Sequence, residues 1–235
     1  MKSLVVLSGG LDSTVALAEA IDQVDGRSDQ VGAVTFTYGQ KHDKEIIAAA
    51  MVADHYELAF HKIIGLPEIF AGSGSVLIAE NELEMPSASY EEIDETEGIS
   101  PTYVPFRNAN FLSMATTLAL VHDADEVWAG MHAEDAHNWA YPDCTPEFLG
   151  AMANAIYVGS YMAVRLVTPH MWRTKAEVTR VGFALDVPFF LTWSCYNGEE
   201  RACGTCPTCI GRINAFREIG ERDAISYQIE IDWSI

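Results

Sequence analysis

An apolar run, Ser3-Leu4-Val5-Val6-Leu7, stops on Ser8-Gly9-Gly10-Leu11-Asp12-Ser13, and an amphipathic segment begins directly behind it. Continuous apolar residues suit a strand buried on both faces. The segment Thr14–Val24 has helical spacing at Val15, Leu17, Ala18 and Ile21, with Ser13 as the expected N-cap. A strand, a glycine turn and a helix make a phosphate-binding geometry: glycines let backbone N–H groups approach an anion, the helix N-terminus adds positive partial charge, and Ser8 and Ser13 can donate hydroxyl hydrogen bonds. The turn is neither G-x-x-x-x-G-K-[ST] nor G-x-G-x-x-G, which excludes a Walker loop and a dinucleotide fingerprint. Asp12 leaves two readings open. It caps the helix, or it holds a cation such as magnesium against a departing pyrophosphate.

The same alternation continues. Val31–Tyr38 is rich in β-branched and aromatic residues, Asp43–His55 carries Ile46, Ile47, Ala50 and Met51 on one helical face, and Leu58–Ile64 is a third strand. This β-α-β-α-β order predicts an open parallel α/β sheet with right-handed crossovers. From Gly65 to Pro101 the pattern breaks, and Glu80, Glu82, Glu84, Glu91, Glu92, Asp94, Glu95 and Glu97 occur without Lys or Arg nearby, as in a solvated loop or a lid. Helix Asn108–His122, strand Glu126–Met131, helix Pro146–Ser160, strand Val164–Thr168 and helix Thr174–Leu185 follow. Beyond about Pro188 the α/β rhythm ends in a Cys/Gly-rich stretch and a short helix near Pro207–Ile219. The expected organisation is a main domain over residues 1–187 and a small C-terminal metal-binding subdomain over 188–235.

With 14 basic and 34 acidic residues the formal charge is −20, a poor match for nucleic acid or an anionic membrane. It favours a protein that handles a small ligand in a locally built site. The segment MKSLVVLSGG is too short in apolar residues for a signal peptide, and no stretch approaches ~18 uninterrupted apolar residues. Four of the five cysteines, Cys195, Cys203, Cys206 and Cys209, are spaced C-x7-C-x2-C-x2-C. Such spacing lets four thiolates converge on one structural zinc with no open position; an iron–sulfur cluster and paired redox cysteines are the rivals. Clustered thiols point to a reducing compartment, so the expected location is cytoplasmic. The fifth, Cys144, is a pocket or core residue or a covalent nucleophile.

The S-G-G-x-D-S turn closing the first strand resembles the pyrophosphate (PP) loop of the N-type ATP pyrophosphatases, whose fold is of the adenine nucleotide alpha hydrolase type. Taken in order, SGGLDS, YGQKH (Tyr38–His42), YVPFRN (Tyr103–Asn108), YPDC (Tyr141–Cys144), TWSCY and the four cysteines make nearly the whole chain similar to the 7-cyano-7-deazaguanine synthase family of queuosine-precursor synthesis. The resemblance implies that 7-carboxy-7-deazaguanine and ammonia become a nitrile at the expense of ATP with magnesium, through an adenylated acid and an amide. It also implies a homodimer with one structural zinc per chain. Ser8, Gly9, Gly10, Leu11, Asp12, Ser13 and Thr14 would receive the nucleotide phosphates, with Tyr38 and His42 on the adenosine. Lys175 and Arg107 would neutralise the polyphosphate, so that Asp12, Ser13, Lys175 and Arg107 are the catalytic candidates. Asn108, Glu134, Asp135, Tyr141 and Asp143 are the substrate-binding candidates, because a carboxylate pairs bidentately with a guanine-like N–H edge.

The sequence departs from that family in two places. The family commonly has an Arg after Tyr-Pro-Asp-Cys, where Thr145 stands here, and Ala136–Ala140 replaces a common Ser-Gly. If that Arg holds the substrate carboxylate, Arg107 or Arg173 must take over. The alternatives are a relative that passes the same adenylated acid to another amine, including a protein's, a tRNA-thiolating enzyme, and a non-catalytic zinc module. The acidic chain, lacking a basic stripe, argues against the second, and the intact SGGLDS turn against the third.

Overall fold

Strands β1 (Ser3–Val6), β2 (Val31–Thr37), β3 (Phe60–Gly65), β4 (Glu126–Trp128) and β5 (Arg165–Val167) form one sheet in the order β3-β2-β1-β4-β5. All neighbours are parallel, and β1 is central, with Ser3 in register with both Val31 and Glu126. The structure is a computed structural model that describes residues 1–81, 83–89, 92–93, 100–132, 134 and 139–234. Between the strands run helices α1 (Leu11–Asp22), α2 (Lys44–His55), the short α3 (Pro67–Phe70), α4 (Arg107–Val121), α5 (Pro146–Gly159), α6 (Lys175–Ala184) and α7 (Pro207–Glu218).

Side-chain alternation on β1 divides the core. Leu4 faces a cluster with Leu112 and Ala115 of α4 and with Leu149 and Ile156 of α5. Its neighbour Val5 faces Leu17 and Ala20 of α1 and Ala49 and Val52 of α2. Both are fully buried, which explains the unbroken apolar run of the central strand. Helix α7 packs on α1 and α6 through Leu11, Val15, Val178 and Phe216, with Phe216 edge-on to Phe183 and Phe189.

Strands β2, β4 and β5 end earlier than the sequence predicts. β4 stops at Trp128 rather than Met131. The next residues include Gly130, whose added Cβ would lie 2.7 Å from the Asp12 carbonyl oxygen; only glycine lets this chain pass so close to α1. The expected Ser13 N-cap is corrected. Helix α1 starts three residues earlier at Leu11 behind Gly10, and no side chain caps it. The Thr174 start of the next helix is a cap rather than a first turn: Thr174 and Glu177 make a reciprocal capping box, which fixes Lys175 at the first helical position. The expected solvated segment after Gly65 is also corrected in part. Ser75, Val76, Leu77 and Ile78 are buried, with Leu77 and Ile78 joining Tyr38 and Phe70 in the core, because this short apolar tetrad covers the end of β2. Glu80, Glu84 and Glu92 are exposed. Glu82, Glu91, Asp94, Glu95 and Glu97, on which the lid expectation rests, lie outside the described residues.

Candidate active site

In an open parallel sheet the strand order reverses between two neighbours, and the crevice outside their C-terminal ends is the place where a ligand fits. Here the reversal lies between β1 and β4. A cavity of about 220 Å³ opens there, with Ser8, Gly10, Asp12, Ser13, Tyr38, Arg107, Asn108, Tyr141, Cys144 and Lys175 among its walls.

The turn after β1 is closed on itself. Ser8 N donates to Ser13 Oγ (3.1 Å), the two hydroxyls are 2.9 Å apart, and Gly10 N donates to Ser8 Oγ at 3.2 Å. Gly9 has φ +83 and sits against α2, where an added Cβ would come within 2.2 Å of the Glu45 carbonyl oxygen. Its own carbonyl accepts from Trp193 N, tying the turn to the cysteine-bearing segment. The hydroxyl of Thr14 donates to the Gly10 carbonyl (2.8 Å). Gly9, Leu11 and Thr14 therefore shape the turn from beneath and do not line the cavity. What faces the cavity is a rigid ring of small polar groups over the N-terminal turn of α1, whose first N–H groups lack intrahelical acceptors.

Lys175 reaches across from α6 and donates to Asp12 Oδ2 at 2.8 Å. His132, nearly fully buried behind β4, stands 3.3 Å from Lys175 Nζ and 3.8 Å from Asp12 Oδ2. Burial pushes the Asp12 pKa up, but Lys175 and then His132 pull harder, leaving it at about 2. Asp12 thus neither caps the helix nor stands alone. Its second oxygen, Oδ1, is buried with no hydrogen-bond partner. A carboxylate oxygen without a partner beside a phosphate-shaped turn fits a hard, oxygen-seeking cation such as magnesium.

Arg107 opens α4 behind Phe106, a non-glycine residue held at φ +56, and backbone strain of this kind is found where a site must be aimed. Its guanidinium donates to Tyr38 Oη (3.3 Å) and lies 5.2 Å from the Tyr38 ring centre. Burial pushes the Tyr38 hydroxyl up to about 12, so it stays a neutral partner. Burial lowers the Arg107 pKa but is outweighed by Tyr38, Tyr196, Asp143 and Cys144, so the net shift is upward and the guanidinium stays charged.

Of the remaining sequence candidates, Asn108 and Tyr141 line the cavity and the others fall elsewhere or outside the described residues. Asp143 is buried and accepts from Asn108 N at 2.9 Å, holding the start of α4 rather than lining the cavity. Asn108 reaches the Cys144 sulfur (3.2 Å). Tyr141 contacts the Thr102 hydroxyl. Glu134 is exposed, and Asp135 lies outside the described residues. His42 does not line the cavity; it packs under Gly198, where a Cβ would come within 2.4 Å of its ring. Arg173 pairs with Glu19 (2.7 Å), which also meets His170, so it is not free to hold a substrate carboxylate. Thr145 caps α5 by accepting from Phe148 N. The cavity walls also include Gln40 of YGQKH and Trp193, Ser194 and Tyr196 of TWSCY, motif residues with no individual role assigned from the sequence, together with Glu45 and Thr208. His132 was missed as well. Its only signal was its place two residues past Gly130 at the end of β4.

The four sulfurs of Cys195, Cys203, Cys206 and Cys209 lie within 4.8 Å of one another, and all four residues are buried. Cys203 and Cys209 sulfurs are 3.9 Å apart, far beyond a disulfide bond of ~2.05 Å. Backbone N–H groups of Asn197 and Cys203 point at the Cys195 sulfur, and those of Thr205 and Cys206 at the Cys203 sulfur. Donors aimed at sulfur favour thiolates. Cys206 is pulled below the usual thiol range by its bonds to Cys195 and Cys209, and Cys209 is pushed above it by the same two neighbours. Four thiolates this close need a cation, and the set is able to hold a metal.

Fold and site together define a nucleotide-type α/β protein of the PP-loop kind. A solved structure, the U34-tRNA thiolase NcsA from Methanococcus maripaludis with its [4Fe-4S] cluster, aligns with a TM-score of 0.50 at 16% identity, covering 80% of this chain and 58% of that one; the likeness is one of fold. Residues 2–220 match the family described as Queuosine biosynthesis protein QueC. The 7-cyano-7-deazaguanine synthase of Caldicellulosiruptor saccharolyticus is 39% identical over 233 residues, 99% of this chain and 98% of that protein. That of Thermoplasma acidophilum is 37% identical over 231 residues, 97% and 92% respectively. The chain belongs to the QueC family.

Proposed function

We propose that the protein is an ATP-dependent ligase that converts 7-carboxy-7-deazaguanine and ammonia to 7-cyano-7-deazaguanine through an adenylated acid and an amide. The observation that carries this reading is the shared cavity. The pyrophosphate turn, Lys175 and Arg107 line one space outside β1 and β4, so a nucleotide and an acid can meet there.

A carboxylate is a poor electrophile. Transfer of AMP to one of its oxygens makes that oxygen a leaving group, and pyrophosphate departs. The ring of Ser8, Gly10 and Ser13 at the α1 N-terminus receives the charge that develops on pyrophosphate. Lys175, whose resting partner is Asp12, lines the same cavity as the turn and suits the phosphates. Magnesium, held by Asp12, would supply charge neutralisation between the phosphates. Arg107 is the cavity's fixed cation opposite the turn and suits the substrate carboxylate, since Thr145 and Arg173 are engaged elsewhere. Repeating the adenylation on the amide oxygen makes nitrile formation possible.

The metal at the four cysteines is zinc with a structural role. A tetrahedron of Zn–S bonds of ~2.3 Å has edges of ~3.8 Å, which the 3.9 Å between Cys203 and Cys209 matches. A multi-iron cluster would spread its ligands further. The protein acts in the cytoplasm, where thiols stay reduced. It works as a homodimer, for which exposed Trp139, Tyr161 and Met162 offer apolar surface. Among the described residues, no helix is long and apolar enough to cross a membrane.

Incubation with ATP, ammonium and 7-carboxy-7-deazaguanine, followed by mass analysis, tests the activity. The expected products are the nitrile, AMP and pyrophosphate. Absence of nitrile, or an acid coupled to some other amine, overturns the reading.

A further inference from the structure

Each half of the proposed reaction strips protons from nitrogen. Ammonium must lose one before it has a lone pair with which to attack. The cavity therefore needs a carboxylate that can attract a cation and accept a proton, and Asp12 cannot serve because Lys175 holds it at about 2. Asp143 is spent on the start of α4, and Glu134 is exposed.

Glu45, in the first turn of α2, lines the same cavity. Among the described residues no hydrogen bond or ion pair engages its carboxylate. We propose that Glu45 is the seat of the nitrogen nucleophile: its carboxylate holds ammonium in the cavity and takes up the proton that ammonium loses. This rests on the function proposed above. An N–H bond of ammonium breaks and its proton goes to a Glu45 oxygen. The freed lone pair forms the C–N bond to the acyl carbon, and the C–O bond to the adenylate breaks, with AMP leaving on the electron pair. The one surplus proton left on nitrogen follows to Glu45 after the first has passed to water, giving the neutral amide.

The surroundings suit a base. Burial raises the pKa of a carboxylate, and Glu45 stands in the cavity wall. Asp12 is fixed by its ion pair with Lys175, whereas the Glu45 carboxylate has no such partner among the described residues, which separates a fixed anion from a proton acceptor. Arg107 from α4 and Tyr38 from the end of β2 share the cavity wall with Glu45. Its helix neighbour Lys44 is turned away, over the Trp193 ring and onto the Glu199 carbonyl.

The test is Glu45→Gln, with Glu45→Asp beside it. Pyrophosphate–ATP exchange driven by the acid needs no ammonium, and it is expected to persist in Glu45→Gln, which also shows that the variant folds. Nitrile formation from ammonium is expected to fall about a hundredfold or more, with the ammonium KM raised at least tenfold, and Glu45→Asp is expected to recover part of both. Hydroxylamine, largely neutral at pH 7, is expected to give hydroxamate with Glu45→Gln at near the wild-type rate. Unchanged ammonium kinetics in Glu45→Gln, or exchange lost in parallel with the nitrile, would overturn the assignment. A wild-type enzyme that makes no nitrile would instead sink the function itself.

Discussion

Asp12 and Glu45 are both acids on the wall of one cavity, and their neighbours give them opposite tasks. Asp12 is pinned by Lys175 at 2.8 Å with His132 behind. Its folded pKa of about 2 lies below the ordinary 3.8. A depressed carboxylate stabilises the fold above its unfolded pKa, and that contribution, about 2 kcal/mol, is lost as pH falls from about 4 through about 2. Asp12→Asn is expected to flatten stability in that window in an acid titration followed by circular dichroism. It is also expected to cut acid-dependent pyrophosphate release at least about a hundredfold while the neutral-pH spectrum stays native; release at the wild-type rate would contradict the role given to the turn. Asp12 and Lys175 were legible as residue types, one in the SGGLDS turn and one at a helix start, but their pairing across 163 positions was not. Glu45 was hidden because a charged residue in the first turn of an amphipathic helix reads as a solvated face. Only the close packing of α2 on Gly9 turns it inward.

The periodicity of the chain carried the elements well, since buried parallel strands and amphipathic helices leave unlike patterns. Their ends were less legible. β4 is cut short by the approach of Gly130 to α1, a contact between segments over a hundred residues apart. The C-terminal segment shows the same limit. Its four cysteines are plain in the sequence, whereas the clamp that holds them is not. Arg212 of α7, fully buried, donates from Nε and Nη2 to both oxygens of Asp223 (2.6 and 2.8 Å), and Tyr227 Oη donates to Asp223 at 2.6 Å. The tail then pairs with the cysteine loop, Ala202 N to Ser226 O and Gln228 N to Ala202 O. Asp223→Ala strands a buried guanidinium, at a cost of about 3–5 kcal/mol. The expected outcome is a lower melting temperature and faster loss of the cysteine-bound metal to a chelator, read by a colorimetric metal indicator. Equal metal release in both proteins would show that the clamp does not support the metal loop.

At the scale of the whole molecule, a chain of net charge −20 binds an anionic nucleotide only where the fold concentrates opposite charge. It does so outside β1 and β4, where the α1 N-terminus, Lys175 and Arg107 converge from three separate helices. The acidity of the sequence argued against anionic partners without naming a substrate; the motifs, taken in order, named a family. In the proposed reaction both carboxylate oxygens of the acid leave as part of AMP, one at each adenylation. Turnover of 7-carboxy-7-deazaguanine labelled with ¹⁸O in both oxygens, with ammonium and ATP, tests this most directly. The expected products are a nitrile free of ¹⁸O and AMP labelled at both steps, with no label in pyrophosphate. Label released to water or appearing in pyrophosphate, with AMP unlabelled, would contradict it.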